Sequence, residues 1–374
     1  MTAERDRLRS FPYEQCAAFR ASGLLGLMVP REYGGYGGTF RELMEVVITI
    51  SSGDPNIGQM YQLHTGGIRL LQEFASAEVQ ARWLPRFGSG ELWITNAYSE
   101  VQTKSVNHFN TTVRPEGDGW RLNGRKFYCT GSLAGDITFG PCRVDGTEDD
   151  VRVFFTPTGA EGVTIQDDWT GFGQRTTASG TTEFDNVFVP GELVLASPDS
   201  DGGGGGAVTS LNYQAVHTGV LVGIGIDALH DAVQFLRTRA RLWYESTADR
   251  VTEDPYVQLR VGEMKAAVEA AELLSLRAAD LCDAAVENPT DPLVRGEASV
   301  ITGEARKAAA DAALFAGSTL FQVCGAGSVL DKYGFDRHWR NARTLSLHNP
   351  LDFKAMHAGD FLLNDRVPPV DSYN

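Results

Sequence analysis

Val220-Leu-Val-Gly-Ile-Gly-Ile-Asp-Ala228 admits two readings, and each belongs to a different fold. Gly223, Gly225 and Ala228 fit the G-x-G-x-x-A form of a dinucleotide fingerprint, with an apolar run just before it. The surroundings argue the other way. The segment lies inside a continuous helical pattern from about Val208 to Glu245, and no alternation of strands and helices flanks it. Small residues at a helix crossing therefore explain the glycines better than a doubly wound sheet does. Two more long helical segments follow, about Tyr256 to Glu287 and Pro292 to Gln322, and their Ala-rich faces suit close packing of helices.

Working back towards the N-terminus, Ser197-Pro-Asp-Ser-Asp-Gly-Gly-Gly-Gly-Gly206 cannot pack or hold one conformation cheaply and reads as a mobile linker. Before it, from Glu91, lie short runs rich in Val, Ile, Thr, Phe and Tyr. Strands are expected at Val151 to Thr156, Val163 to Asp167 and Thr181 to Val189. The clearest hairpin signal is Trp120-Arg-Leu-Asn-Gly-Arg-Lys-Phe-Tyr128, with Asn123-Gly124 as a tight two-residue turn. The first quarter has helical spacing at Phe40 to Ile50, Gln59 to Phe74 and Ala77 to Phe87. The expected architecture is α+β: a helical domain at 1–92, a middle β domain at 93–200 and a helical bundle at 207–374.

Composition removes several function classes. In 374 residues, 33 basic against 48 acidic side chains give a net charge of −15, the wrong sign for a phosphate-backbone reader, so nucleic acid is not an expected partner. Five scattered cysteines without a CxxC pair suit a reducing cytoplasm. The start, MTAERDRLRS, is charged where a signal peptide is apolar, and the run Val220 to Ile226 is far shorter than the roughly 20 residues of a membrane span. No metal site is expected, because His338, His348 and His357 are not at H-x-x-x-H spacing and no Cys cluster accompanies them. No G-x-S-x-G elbow marks a nucleophilic serine.

Five further segments say little singly and more in order. They are Val29-Pro-Arg-Glu-Tyr-Gly-Gly35, Asn123-Gly-Arg-Lys-Phe-Tyr-Cys-Thr-Gly131, Phe184-Asp-Asn-Val-Phe-Val-Pro190, Phe321-Gln-Val-Cys-Gly-Ala-Gly327 and Asp336-Arg-His-Trp-Arg-Asn-Ala-Arg343. Together, over nearly the whole chain, they resemble the acyl-CoA dehydrogenase superfamily. The resemblance implies an N-terminal helical domain, a middle β-barrel-like domain and a C-terminal four-helix bundle, with flavin held between them and often between subunits of a tetramer. Many of the dehydrogenases carry a Tyr-Glu-Gly-Thr stretch after the fifth segment, whose Glu abstracts the substrate α-proton. Here that register reads His348-Asn349-Pro350, and an amide is not basic near neutral pH. Some members keep the Glu on another helix, so an FAD-dependent acyl-CoA dehydrogenase remains the alternative, beside a catalytically silent scaffold of the same fold.

The run Arg337 to Pro350, followed by Lys354, His357 and Leu362-Leu-Asn-Asp-Arg-Val-Pro-Pro369, is similar to the two-component flavin monooxygenases of this fold, the dibenzothiophene monooxygenase-like branch. The similarity implies reduced FMN supplied by a separate reductase, addition of O₂ to form a C4a-hydroperoxyflavin, and oxygen transfer to a small apolar or aromatic substrate at S, N or C. FAD in place of FMN stays open. Residue by residue, His348 matches the branch's C-terminal active-site His, the first choice for the flavin-facing acid/base; the plain alternative is a His after the last helix. His64 matches an active-site His on an N-terminal helix, with a structural His as the alternative. Asn96, Ala97 and Ser99 match the strand end bordering the isoalloxazine ring, and the Thr103 to Phe109 loop matches the lid. Tyr128 and Thr130 match the second flavin-flanking strand, or else form an ordinary cross-strand pattern. Arg239 matches the Arg that reaches the cofactor phosphate across a subunit interface, with Arg237 or Arg241 as the candidate one helical step off and a solvated basic face as the plain alternative. Ala326 and Gly327 match a glycine-rich turn near the flavin of a neighbouring subunit, and Trp169 and Phe172 wall the pocket or fill the β core.

The departures are also specific. Leu345 stands where the branch commonly has a second His, and no Tyr is evident near Ile68 after the N-terminal His. Both changes make the expected pocket less polar. Phe11-Pro-Tyr-Glu14 arrives where most relatives have completed a first helix, which implies a more open substrate side.

Overall fold

The structure, a computed structural model, describes residues 2–101, 103–105, 108–197, 208–371 and 373–374. The expected glycine-rich linker lies outside the described residues apart from Ser197. Five helices lead: α1 (Thr2–Leu8), α2 (Tyr13–Ala21), α3 (Phe40–Ser51), α4 (Pro55–Phe74) and α5 (Ala77–Gly88). Eight strands follow: β1 (Ile94–Asn96), β2 (Thr112–Glu116), β3 (Gly119–Lys126), β4 (Ile137–Val144), β5 (Val151–Pro157), β6 (Val163–Ile165), β7 (Thr182–Pro190) and β8 (Val194–Ala196). The chain then returns to helix in α6 (Thr209–Thr238), α7 (Pro255–Glu287), α8 (Pro292–Cys324), α9 (Asp336–Ser346) and α10 (Leu351–Asn364).

Local chemistry accounts for where the long helices start. Asp54-Pro55, Asp254-Pro255 and Asp291-Pro292 each place an aspartate as N-cap and a proline in the first turn, where the missing N–H costs nothing. Thr39 and Glu42 form a reciprocal capping box for α3, and the Asp283 carboxylate adds bonds from the N–H groups of Phe40 and Arg41 at 2.6 and 3.1 Å. No side chain of its own caps α6. Instead Glu73 of α4 accepts from the Val208 N–H at 3.0 Å and from the Thr209 hydroxyl, setting a carboxylate against the positive end of the helix.

The strands form one eight-stranded sheet in the order β6-β7-β3-β2-β4-β5-β8, with β1 parallel to β4. Strands β5 and β7 are not neighbours in that order, yet Phe154 and Phe184 meet edge to face at 5.0 Å, so the sheet curls over a shared core, as a barrel-like domain does. The expected hairpin is not there. Asn123 and Gly124 lie inside β3, at an irregularity in its pairing with β7, and the chain reverses at Gly117-Asp118 between β2 and β3. A side chain at Gly124 would run into that of Thr111, 2.3 Å from the Cβ position, so close approach rather than a turn requires this glycine.

Gly223 and Gly225 serve a helix crossing. A Cβ on Gly223 would lie 2.8 Å from the Ser51 carbonyl carbon and 2.9 Å from the Ile48 oxygen, so α6 touches the backbone of α3 there. Gly225 faces Val268 of α7 and Ala313 of α8. By length and composition α6 could cross a membrane, but 67% of its most apolar window is buried inside the molecule, and it is the central helix of the bundle. Helix α9 is fastened to it through Arg337 and His338, which reach the Asp231 carboxylate at 2.7 and 2.9 Å. All five cysteines are buried and free.

Candidate active site

A cavity of about 960 Å³ opens where α4, the sheet, the start of α6 and the end of α9 converge. The sheet side carries much of the polar edge. Asn96, at the end of β1, projects into it with a buried side-chain oxygen that no group among the described residues satisfies. Beside it Thr130, Ser179 and Thr177 form a chain of hydroxyls, Thr130 to Ser179 at 2.8 Å and Ser179 to Thr177 at 2.6 Å. Gln174 lines the same wall, and both polar atoms of its buried amide are unpartnered among the described residues. Buried orphans of this kind are uncommon and cluster where a ligand completes them. Tyr128 (φ 57°) and Gln174 (φ 50°) both adopt the left-handed conformation that side chains disfavour, which concentrates backbone strain at the cavity wall.

Aromatic rings close one end. Trp169 packs edge-on against Tyr128 at 5.8 Å and ties its indole N–H to the Gln174 carbonyl at 2.8 Å, while Phe172 stacks on Trp339 of α9 at 6.3 Å. The Asn341 amide oxygen accepts from the Gln174 N–H at 2.7 Å, so α9 is locked to this loop and His348, just beyond α9, takes a fixed place in the wall. Ser99 also lines the cavity and bridges to Phe127 through its carbonyl at 2.8 Å. Ala97, expected at the same border, does not line the cavity: it is fully buried, with its N–H bonded to the Phe139 carbonyl at 2.7 Å. Thr103 and Ser105 of the expected lid line the opening, while residues 106 and 107 lie outside the described residues.

His348 opens towards the cavity and is backed by a buried polar group. Its ring lies 4.2 Å from that of His217 on α6. The His217 Nδ1 receives the Gln62 amide nitrogen at 3.3 Å and an Arg306 guanidinium nitrogen at 3.2 Å, and Arg306 also donates to the Gln214 side-chain oxygen. The protein packed round His348 lowers its pKa, and the Arg306 cation lowers it further, so the imidazole is neutral at physiological pH. Burial likewise holds His217 well below the usual histidine value, with His348 and Arg306 adding to the effect.

Two carboxylates among the described residues reach the cavity. Burial works to raise the Glu100 pKa, but the Lys126 ammonium at 2.7 Å outweighs it, aided by the Asn110 and Thr111 N–H groups, and the carboxyl falls below its ordinary range. Asp371 accepts from the Tyr373 N–H at 2.7 Å and from the Asn374 amide at 2.9 Å. Each is held in a structural bond network, not poised as a base for carbon acid chemistry.

The sequence-derived residues divide into three places. Asn96, Ser99, Tyr128, Thr130 and His348 share the cavity, with Trp169 and Phe172. Arg239, Ala326 and Gly327 gather elsewhere: Arg239 lies over the Tyr333 ring at 5.7 Å, that ring packs on Phe235 at 5.2 Å, and Phe235 is the nearest neighbour of Gly327. This surface is at the far end of α6, about 33 Å from His217 at 1.5 Å per residue. His64 is in neither place: against the expected active-site role, it is a fully buried histidine bonded to backbone on both sides. Its Nδ1 accepts from the Ile94 N–H at 3.1 Å, which leaves the proton on Nε2 to serve the Leu25 carbonyl at 2.9 Å. Fully buried among Tyr61, Phe87 and Trp93, its pKa is pushed down to about 4.

Sequence reasoning missed His217, Gln214, Gln62, Arg306 and Gln174. A signal for part of the group exists: Ser210, Gln214 and His217 recur at four- and three-residue steps, which draws a polar stripe on one face of α6.

The family models for the acyl-CoA dehydrogenase N-terminal, middle and C-terminal domains match residues 1–91, 95–187 and 215–353. The chain is 33% identical to dibenzothiophene monooxygenase of Rhodococcus qingshengii over 98% of its own length and 90% of the relative's. Among solved structures, FMN-bound TdsC from Paenibacillus sp. A11-2 superposes with a TM-score of 0.94 at 30% identity, covering 100% of this chain and 96% of that one. Methanesulfinate monooxygenase MsuC from Pseudomonas fluorescens does so with a TM-score of 0.93 at 31% identity, covering 100% and 95%. The chain belongs to the acyl-CoA dehydrogenase superfamily, in its flavin-dependent monooxygenase branch.

Proposed function

We propose that this protein is an FMNH₂-dependent monooxygenase that transfers one atom of O₂ to a small sulfur-containing or aromatic compound. The carrying observation is that the Asn96 oxygen and the Gln174 amide, buried without a partner among the described residues, share one cavity with the Thr130 hydroxyl and the His348 ring. A flavin's pyrimidine edge offers both donors and acceptors, which is the complement those orphaned groups lack, so the residues fit the cofactor. When bound, reduced FMN supplies the two electrons by which O₂ gives one oxygen to the substrate and the other to water. The similarity to an FMN-bound relative supports FMN over FAD.

The chain's own residues then have separable tasks. Asn96, Thr130 and Gln174 orient the ring, and Tyr128 and Trp169 cover the cavity's aromatic end. Leu63, Leu70, Phe139 and Val153 exclude water, which protects a reactive oxygen donor from unproductive decay. His348 holds and returns a proton at an imidazole nitrogen during transfer. The bound state of Glu100 and Asp371 speaks against proton abstraction from an acyl-CoA.

A separate reductase would deliver the reduced cofactor. A homotetramer would bring a neighbour's Arg239, Ala326 and Gly327 to the cofactor's phosphate end, and exposed Trp243, Tyr244, Tyr256, Leu362 and Leu363 supply the apolar surface that assembly covers. A cytoplasmic setting accords with five free thiols. The test is stopped-flow mixing of protein and photoreduced FMN with aerated buffer. A near-ultraviolet transient that precedes the visible band of oxidised flavin, and that shortens about tenfold or more in His348→Ala, is the expected result. Direct appearance of oxidised FMN at the rate of free flavin overturns the reading.

A further inference from the structure

Arg306 is fully buried in α8 without a carboxylate partner among the described residues, a rare and costly setting for a charge. Its Nε and one terminal nitrogen are unsatisfied, and the other terminal nitrogen donates to the Gln214 oxygen and to the His217 Nδ1 at 3.2 Å. The Gln62 amide nitrogen donates to the Tyr213 carbonyl at 3.0 Å, which fixes the orientation of that amide, and also faces the His217 Nδ1 at 3.3 Å. Two obligate donors therefore converge on one ring nitrogen. Nδ1 of His217 can only accept, so its proton sits on Nε2, and the ring has no site for a second proton.

We propose that Arg306 and His217 are positioning residues for His348: Arg306 locks His217 as a neutral Nε2–H imidazole packed on the His348 ring, so that a cation and a ring unable to take a proton stand behind His348. The inference rests on the oxygenase reading for its consequence, but its physical content belongs to the protein alone. His348 is then the one imidazole of the pair free to change protonation, with a cation behind it that disfavours premature uptake of a proton. The groups round the pair leave this balance in place. Gln214 on α6 and Asn349 beside His348 are neutral, Lys354 on α10 adds positive charge near Arg306, and Asp371 on the C-terminal segment is tied to Tyr373 and Asn374. A proton-handling residue that starts neutral serves a reaction in which the proton must arrive at a defined moment and not before.

The test uses the full chain labelled with ¹⁵N-histidine and read by imidazole NMR without cofactor, with His348 and His217 assigned from His348→Gln and His217→Gln. The expected result is a pyridine-like Nδ1 on His217 through the neutral range and a His348 midpoint that rises by about one pH unit in Arg306→Gln and returns in Arg306→Lys. A His217 protonated on Nδ1 in the unaltered protein overturns the proposal, even if Arg306→Gln does not fold. So does a His348 midpoint that is unchanged in a folded Arg306→Gln. The acid limb of kcat in the oxygenase assay should follow the same order, with KM unmoved. If no oxygenase activity is found, the NMR outcome still stands separately from the failure of that reading.

Discussion

At the scale of single residues, His64 and His348 show how one side chain type takes opposite roles according to what its nitrogens touch. Both nitrogens of His64 serve backbone groups of 25 and 94, so the ring joins a 3₁₀ turn to the first strand and has no capacity left for a substrate. His64→Gln, which can still accept and donate, should leave the flavin reaction within about twofold while costing about 1–3 kcal/mol of stability from imperfect pairing. The pH dependence follows from the depressed pKa. The folded protein keeps this ring neutral down to about 4, whereas the unfolded chain takes up its proton near 6.5, so stability falls as pH drops from about 6.5 to 4, by about 3 kcal/mol in full. Chemical denaturation at several pH values should show a shallower acid decline in His64→Gln. The same contrast explains what was legible. His348 stood in a run that matched a branch, whereas His217 gains its meaning from Arg306, 89 residues away in sequence, and no local pattern announces that pairing. Nor could residue type separate His64 from a catalytic histidine, because burial by Tyr61, Phe87 and Trp93 is a property of the packed core.

At the scale of elements, the long helices were readable because their apolar period runs for many turns, and the observed α7 and α8 start within a residue of where the pattern sets them. The β3 hairpin was not. Asn-Gly is the strongest short-range turn signal, yet here neighbouring strands β2 and β7 hold the dipeptide inside the sheet, and Gly124 is needed because Thr111 leaves no room for a side chain. The G-x-G of α6 resolves in the same terms: glycine buys proximity. At Gly223 the approach is to backbone, which cannot rotate away, so Gly223→Ala should cost on the order of 1–3 kcal/mol through separation of α3 and α6. At Gly225 the nearest atom is a methyl of Val268 at 3.2 Å, and the better helix propensity of alanine, about 1 kcal/mol, offsets a small displacement. Gly225→Ala is thus expected within about 1 kcal/mol of the parent. Urea unfolding of both variants checks the difference, and equal costs would contradict a backbone contact at Gly223 alone.

At the scale of the whole molecule, one chain presents a cavity with His348 in its wall and, at the other end of α6, a surface that joins Arg239, Tyr333, Phe235 and Gly327. No bending of one subunit brings an exposed guanidinium about 33 Å along a rigid helix back to the same cavity. If that surface belongs to a cofactor site, it belongs to a neighbour's, and the assembly has the flavin bound across subunits. Arg239→Ala should then weaken FMN binding by about 10- to 100-fold, the loss expected for a charge-assisted phosphate contact of about 1.5–3 kcal/mol, while leaving the cavity residues in place. The stronger consequence is complementation. Arg239→Ala subunits keep His348 and lack the arginine; His348→Ala subunits keep the arginine and lack the imidazole. Unfolded together and refolded as mixed oligomers, they would form some sites with the cavity of the first and the arginine of the second, so the mixture should recover oxygenation that neither variant shows alone at limiting FMN. Sites built within one chain could not recover in this way, because every cavity would lack one of the two groups, and activity in the mixture would then be the plain average of the parents.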